Sequence, residues 1–259
     1  MSEKPSQTKR PPRVSRRRKR GHKLETEAAE EAQRQAFADQ AKRSRAVKTT
    51  RQLDSQAFAQ VDRMVGSFAQ RRFGGLMPTV GKGFFAGAQS EAEAKAPEVQ
   101  QAFSLFFVYG YRDTAGRRLI DMFEQYGLEL DREQKRVLAA VKRARYVAFA
   151  VQAKNENNKQ IAGRDMLRGL PMTTLDNGAF SQINPGDVLV AYMFPVGDLW
   201  RSLGPAVLVR RAKTGLLVQG FDKLARDQGF HASELPERRA AQVFWMAYRA
   251  AEAVIRTKV

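Results

Sequence analysis

Six of the eight residues from Arg13 to Arg20 are cations: Arg13, Arg16, Arg17, Arg18, Lys19 and Arg20. Side chains at this density can neutralise successive phosphates of a polyanion and release their counterions, which gives affinity without sequence reading. A second basic group, Arg132, Lys135, Arg136, Lys142 and Arg143, falls on one side of a predicted helix, and among residues 132–145 only Glu133 opposes it. A third consists of Arg71, Arg72 and Lys82, interleaved with Phe73, Phe84 and Phe85 on a glycine-rich stretch. Such a stretch could stack unpaired bases and admit a phosphate backbone. The competing reading, a loop anchored on the core by Phe84 and Phe85, is favoured because those rings are costly to leave in water. It is not a P-loop: Gly75 lies one residue too far from Gly81-Lys82, and no Ser or Thr follows the lysine.

Acid-base and metal chemistry find little support. Asp187 and Asp198 occupy turn positions, while Asp121 and Glu124 fit an exposed helix side beside Arg117 and Arg118. His231 precedes a predicted helix start and reads as a loop residue. With no cysteine and two histidines far apart, thiol catalysis, disulfides and zinc modules are excluded and an imidazole metal site has little to build on. No nucleotide-cofactor fingerprint occurs, so the expectation is a non-enzyme with neither cofactor nor metal.

The elements that must position these groups lie in a chain of 259 residues with 45 Lys+Arg against 27 Asp+Glu, a formal charge of +18. Residues 1–23 carry ten Lys/Arg against Glu3 alone, and with Met1 and Val14 as their only apolar side chains they read as a disordered basic arm. Residues 52–259 still hold 29 Lys/Arg against 21 acids, a net of +8. No run of about 18 apolar residues exists, and no apolar segment follows the basic N-terminus, so neither a membrane span nor a secretory signal is expected. A cytoplasmic protein is.

Residues 24–51 read as a solvated helix or linker, and 52–150 as a helical domain. Within it Leu53, Ala57, Val61, Met64, Val65 and Phe68 form one stripe, ended by Gly74-Gly75, with a loop over 74–90. Pro97 opens a helix with an aromatic face of Phe103, Phe106 and Phe107, and Leu119 to Tyr126 forms another helix. Asp131 and Gln134 fit a capping box for a helix whose apolar stripe runs from Val137 to Ala148. From residue 151 to 220 short apolar runs alternate with turn signals, which predicts a small β-barrel of SH3-like or OB-like type. Its run Val188 to Phe194 is apolar on both faces and reads as a central strand. Residues 221–259 read as helical, with a short helix over Phe221 to Ala225 and a longer one opening at Ser233 whose stripe reaches Val254.

Over roughly residues 103–212, the order of the Phe-rich helix, Tyr109-Gly110-Tyr111, Ile183 to Ala191, Pro195-Val196-Gly197-Asp198 and Leu203-Gly204-Pro205 resembles the non-metal portion of uncharacterised bacterial SEC-C-motif proteins. Their zinc tail is missing here. The resemblance implies an α+β fold and a bacterial cytosolic setting, and it carries no activity.

The sequence therefore predicts an α+β protein with a helical N-terminal domain, a small barrel-like module and a C-terminal helix. Its expected role is non-catalytic nucleic-acid binding through phosphate contacts, with RNA or a ribonucleoprotein ahead of DNA. The alternative is a protein-interaction adaptor whose basic tail tethers it to polyanions.

Overall fold

Two hydrophobic cores share one β-sheet. The computed structural model describes residues 55–126, 129–251 and 253–256, all within the compact unit Leu53–Val259. The expected arm and linker, with Arg13, Arg16, Arg17, Arg18, Lys19 and Arg20, lie outside the described residues.

The helical part runs through α1 (55–73), a 3-10 turn, α2 (Met77–Phe85), α3 (Glu91–Lys95), α4 (Pro97–Leu105), one turn of π-helix (Phe106–Gly110), α5 (Leu119–Phe123), a second 3-10 turn and α6 (Arg132–Val141). Strands β1 (Arg145–Asn155), β2 (Gln160–Asp165), β3 (Leu170–Leu175), β4 (Val188–Val196) and β5 (Leu199–Val209) follow, with the short helix α7 (Asn177–Phe180) between β3 and β4. The chain ends in α8 (Arg211–Gln228), a 3-10 turn, α9 (Leu235–Arg238), α10 (Ala240–Ala250) and β6 (Ala253–Arg256).

The sheet order is β3-β2-β1-β4-β5-β6, and a parallel pairing of β3 with β5 closes the first five strands into a barrel. At the closure Thr174 faces Trp200, and its hydroxyl donates to the Trp200 carbonyl at 2.9 Å. Val147, Phe149, Ile161, Met172, Leu189 and Leu208 are among the side chains that fill the interior. The other face of β1, β4 and β5 is covered by helices, so Tyr146, Val188, Val190, Tyr192, Phe194 and Val207 belong to the helical core. This explains why Val188 to Phe194 lacks a polar face: every residue in it is buried. Phe58 stacks on Phe194 at 5.5 Å, and Trp245 of α10 donates to the Phe84 carbonyl at 2.6 Å, tying α1 to the barrel and α10 to α2.

Several local expectations are corrected. The stretch 74–90 is largely helical: Pro78 sits in the first turn of α2, and the spacing of Met77, Gly81 and Phe84 turns one side inward, so that Phe84 is buried among aromatic rings. The helical stripe expected to reach Ala148 stops at Val141, because Tyr146 to Ala150 pair with β4. The barrel accordingly opens at Arg145, ahead of residue 151. The short helix expected at Phe221 is the middle of α8, whose first free N–H, that of Arg211, is capped from a distant turn by the Asp187 carboxylate at 3.0 Å. The last helix is interrupted at Arg239, and Val254 belongs to β6, which pairs with β5 and sends Ile255 into the barrel core.

Candidate anion site at the barrel mouth

The site is assembled around the C-terminal end of α6. Asp131 and Gln134 cap the helix reciprocally, at 2.8 and 3.0 Å, and Val137, Leu138 and Val141 bury its apolar side. Just past its end Arg118 donates to two backbone carbonyls, those of Lys142 at 2.6 Å and Ala144 at 3.1 Å. The same guanidinium is held bidentately by Asp121 at 2.8 and 2.9 Å. Burial opposes ionisation of Asp121, but the Arg118 contacts outweigh it and keep this carboxyl below its usual range. Arg118 thus fixes the segment Lys142 to Arg145 as one wall.

A bridge between Arg112 and Arg118 closes the turn around Asp113, which accepts from the Ala115 and Arg117 amides and places Arg112 on a second wall. Pro236 and Glu237 of α9 form a third. The floor consists of Tyr109 and Gly110 of the π-turn with Tyr146 and Tyr192 of the barrel. Gly110 is needed there: a Cβ on it would sit 2.1 Å from the Tyr192 hydroxyl. The space these residues line is about 310 Å³ and opens to solvent.

Five cations line this cleft, Arg112, Arg118, Lys142, Arg143 and Arg145, against Asp121 and Glu237. Arg118 is committed to Asp121, and Lys142 pairs with Glu124. Glu237 reaches Arg168 at 3.6 Å, and Arg168 is itself held by buried Asp165. Arg112, Arg143 and Arg145 form no ion pair among the described residues. Arg145 lies over the Trp200 ring, its Nε is buried without a hydrogen-bond partner, and burial followed by the charge of Arg168 pulls its pKa down.

Two phenols complete the floor. Tyr146 and Tyr192 face each other across β1 and β4, with ring centroids 4.7 Å apart, and neither hydroxyl has a partner among the described residues. Burial pushes both pKa values up, against the pull of Arg118 and Arg112 on Tyr192, so both hydroxyls remain protonated donors. A buried donor without an acceptor costs on the order of 1–3 kcal/mol. The guanidinia of Arg112 and Arg143, in no ion pair among the described residues, are suited to an anion.

Of the basic residues picked from the sequence, only Lys142 and Arg143 line the cleft. Arg132, Lys135 and Arg136 are exposed along α6, Arg136 pairing with Glu133 at 3.2 Å. Arg71 is exposed on α1, Arg72 covers the Tyr126 ring, and Lys82 is exposed in the last turn of α2. Sequence reasoning missed Arg112, Arg118 and Arg145. The only signal for Arg145 was its place at the end of the basic run.

A family model for a family of unknown function, DUF7986, matches residues 89–257. The chain belongs to that family. The matched span contains every residue that lines the cleft and the whole barrel. No curated protein and no solved structure matches the chain. Among the described residues, no group of three or more His, Asp or Glu could hold a metal ion, and no helix is long and apolar enough to cross a membrane.

Proposed function

We propose that this protein is a cytosolic, non-catalytic nucleic-acid-binding protein, with RNA or a ribonucleoprotein as partner ahead of DNA, and that it grips phosphate through the cleft at the barrel mouth. The observation that carries this reading is that Arg112, Arg143 and Arg145, none in an ion pair among the described residues, line a single space of about 310 Å³. Guanidinia held in this way offer forked donors to phosphate oxygens. The exposed Arg132 and Lys135 on α6 extend the electropositive face, and the basic N-terminal sequence adds loose phosphate contacts.

Binding without chemistry is favoured because both acids that line the cleft are engaged, Asp121 with Arg118 and Glu237 with Arg168. Neither is set up as a general base. The likeness to the non-metal portion of SEC-C-motif proteins adds an expectation of a bacterial setting and no activity.

The test is a salt titration of the full chain on matched RNA, single-stranded DNA and duplex DNA, beside Arg143→Ala and Arg145→Ala. The reading expects a linear log-log dependence, RNA bound most tightly, and a slope reduced by about 0.7 to 1 for each arginine removed. Absence of binding at moderate salt would overturn it and leave the protein-adaptor reading.

A further inference from the structure

We infer that Glu237 is a built-in competitor of phosphate at the barrel mouth: in the free protein its carboxylate is a counter-charge of the cleft, and a bound phosphate takes its place. The inference rests on the phosphate-binding reading above and assigns the residue that holds affinity down.

The two acids that line the cleft are held in different ways. Asp121 meets the Arg118 guanidinium at 2.8 and 2.9 Å and belongs to the wall. Glu237 has no such grip. It reaches Nη2 of Arg168 at 3.6 Å, beyond hydrogen-bonding range, and its side chain is 60% exposed. Arg168 does not depend on it, because Nη1 of the same guanidinium donates to the fully buried Asp165 at 2.8 Å and to the Tyr146 carbonyl at 3.1 Å. An ion pair this long and this exposed contributes little to stability, so the carboxylate is cheap to displace.

Charge gives the carboxylate its role. Arg145 feels the like charge of Arg168, while Asp165 and Glu237 act on it in the opposite sense. Asp165 is committed to Arg168 at hydrogen-bond distance, which leaves Glu237 to offset Arg145. The formal charges of these four groups sum to zero with Glu237 and to +1 without it. A phosphate brought to Arg145 enters the same space as the Glu237 carboxylate and is repelled by it. Two anions thus compete for one guanidinium, and the phosphate can engage Arg143 and Arg112 besides.

Local structure permits the exchange. Glu237 sits in the single turn α9, whose Leu235 and Pro236 are buried and fix the backbone, and Arg239 with φ −139° and ψ 34° ends the turn. Displacement of the carboxylate needs rotation of one exposed side chain and no movement of α9.

The experiment measures RNA binding by the full chain, by Glu237→Gln and by Glu156→Gln. Glu156 follows β1 at the end opposite Arg145 and pairs with Lys159 at 2.9 Å, so its variant changes net charge equally and leaves the cleft alone. Glu237→Gln is expected to bind about three- to fivefold more tightly at low salt, and Glu156→Gln to match the parent within about twofold. In an Arg145→Ala background the gain should vanish, because the guanidinium that both anions seek is gone. Equal tightening by both variants, or a gain that survives Arg145→Ala, would overturn the assignment and leave nucleic-acid binding standing. Weaker binding by Glu237→Gln would do the same and make the carboxylate an RNA contact. If no form binds RNA, the nucleic-acid reading falls, and thermal stabilisation by inorganic phosphate decides the competitor. A larger shift in Glu237→Gln than in the parent upholds it, and an equal or absent shift overturns it.

Discussion

The guanidinium of Arg145 lies 4.4 Å above the ring of Trp200, joining the start of β1 to the start of β5 at the mouth of the barrel. Arg145 is the cation of the cleft that stacks on a tryptophan, and its Nε faces no acceptor among the described residues. The stack therefore links occupancy of the cleft to a spectroscopic signal.

A phosphate drawn into the cleft should pull the Arg145 charge toward itself and weaken the contact with Trp200, which is worth about 0.5–2 kcal/mol. Saturable change in tryptophan emission on titration with RNA is expected, and Arg145→Ala should abolish it. Persistence of the change in that variant would place its source at Trp245.

Removing an orphaned hydroxyl should stabilise the protein. Tyr192→Phe is expected to raise thermal stability without ligand by roughly 1–3 kcal/mol, because the phenol has no partner to lose. A lowered melting temperature would mean that the hydroxyl is satisfied in the folded protein.

Arg118 and Arg112 should separate structure from binding. Arg118 bonds two carbonyls and Asp121 from a largely buried position, so Arg118→Ala should cost roughly 2–4 kcal/mol of stability, allowing for the partial exposure of Asp121. Arg112 is exposed and bonds only the Gly116 carbonyl in its own turn. Arg112→Ala should move stability by no more than about 0.5 kcal/mol while weakening RNA binding. Denaturant unfolding of the two variants beside their binding curves checks the contrast.

Asp62 on α1 makes stability depend on pH with a defined sign. Asp62 is exposed on α1, and partial desolvation by its surroundings raises its pKa above the ordinary 3.8, so the folded state binds its proton somewhat more tightly than the unfolded chain. Its contribution is most favourable below the unfolded value and declines as pH rises through the folded one. Asp62→Asn should thus melt higher than the parent at pH 7, with the gap closing as pH falls below 4. A gap that widens on acidification would show that the carboxylate has a stabilising partner.

Much of the fold was legible because the relevant signals are local. The Asp131 and Gln134 spacing is a reciprocal cap, Phe103 and Phe107 are core side chains, and the apolar run Val188 to Phe194 is a strand covered on both faces. The α+β class and the small barrel followed from periodicity and turn residues. Lys142 and Arg143 were legible in the site because they end a basic run on a helix with a readable stripe.

Amino-acid order by itself determined the α+β class, the net positive charge and the faces that had to be buried, since periodicity and capping act over a few residues. Only the tertiary structure decided which cations were left without carboxylates. Arg118 and Arg117 look alike in the sequence, yet one holds the end of α6 and the other closes the turn at Asp113. It also decided that β3 meets β5, that Asp187 caps α8, and that Arg112, Arg143 and Arg145 share one cleft. Ion pairing, strand closure and enclosed space depend on contacts between residues distant in sequence, and no local pattern specifies those contacts.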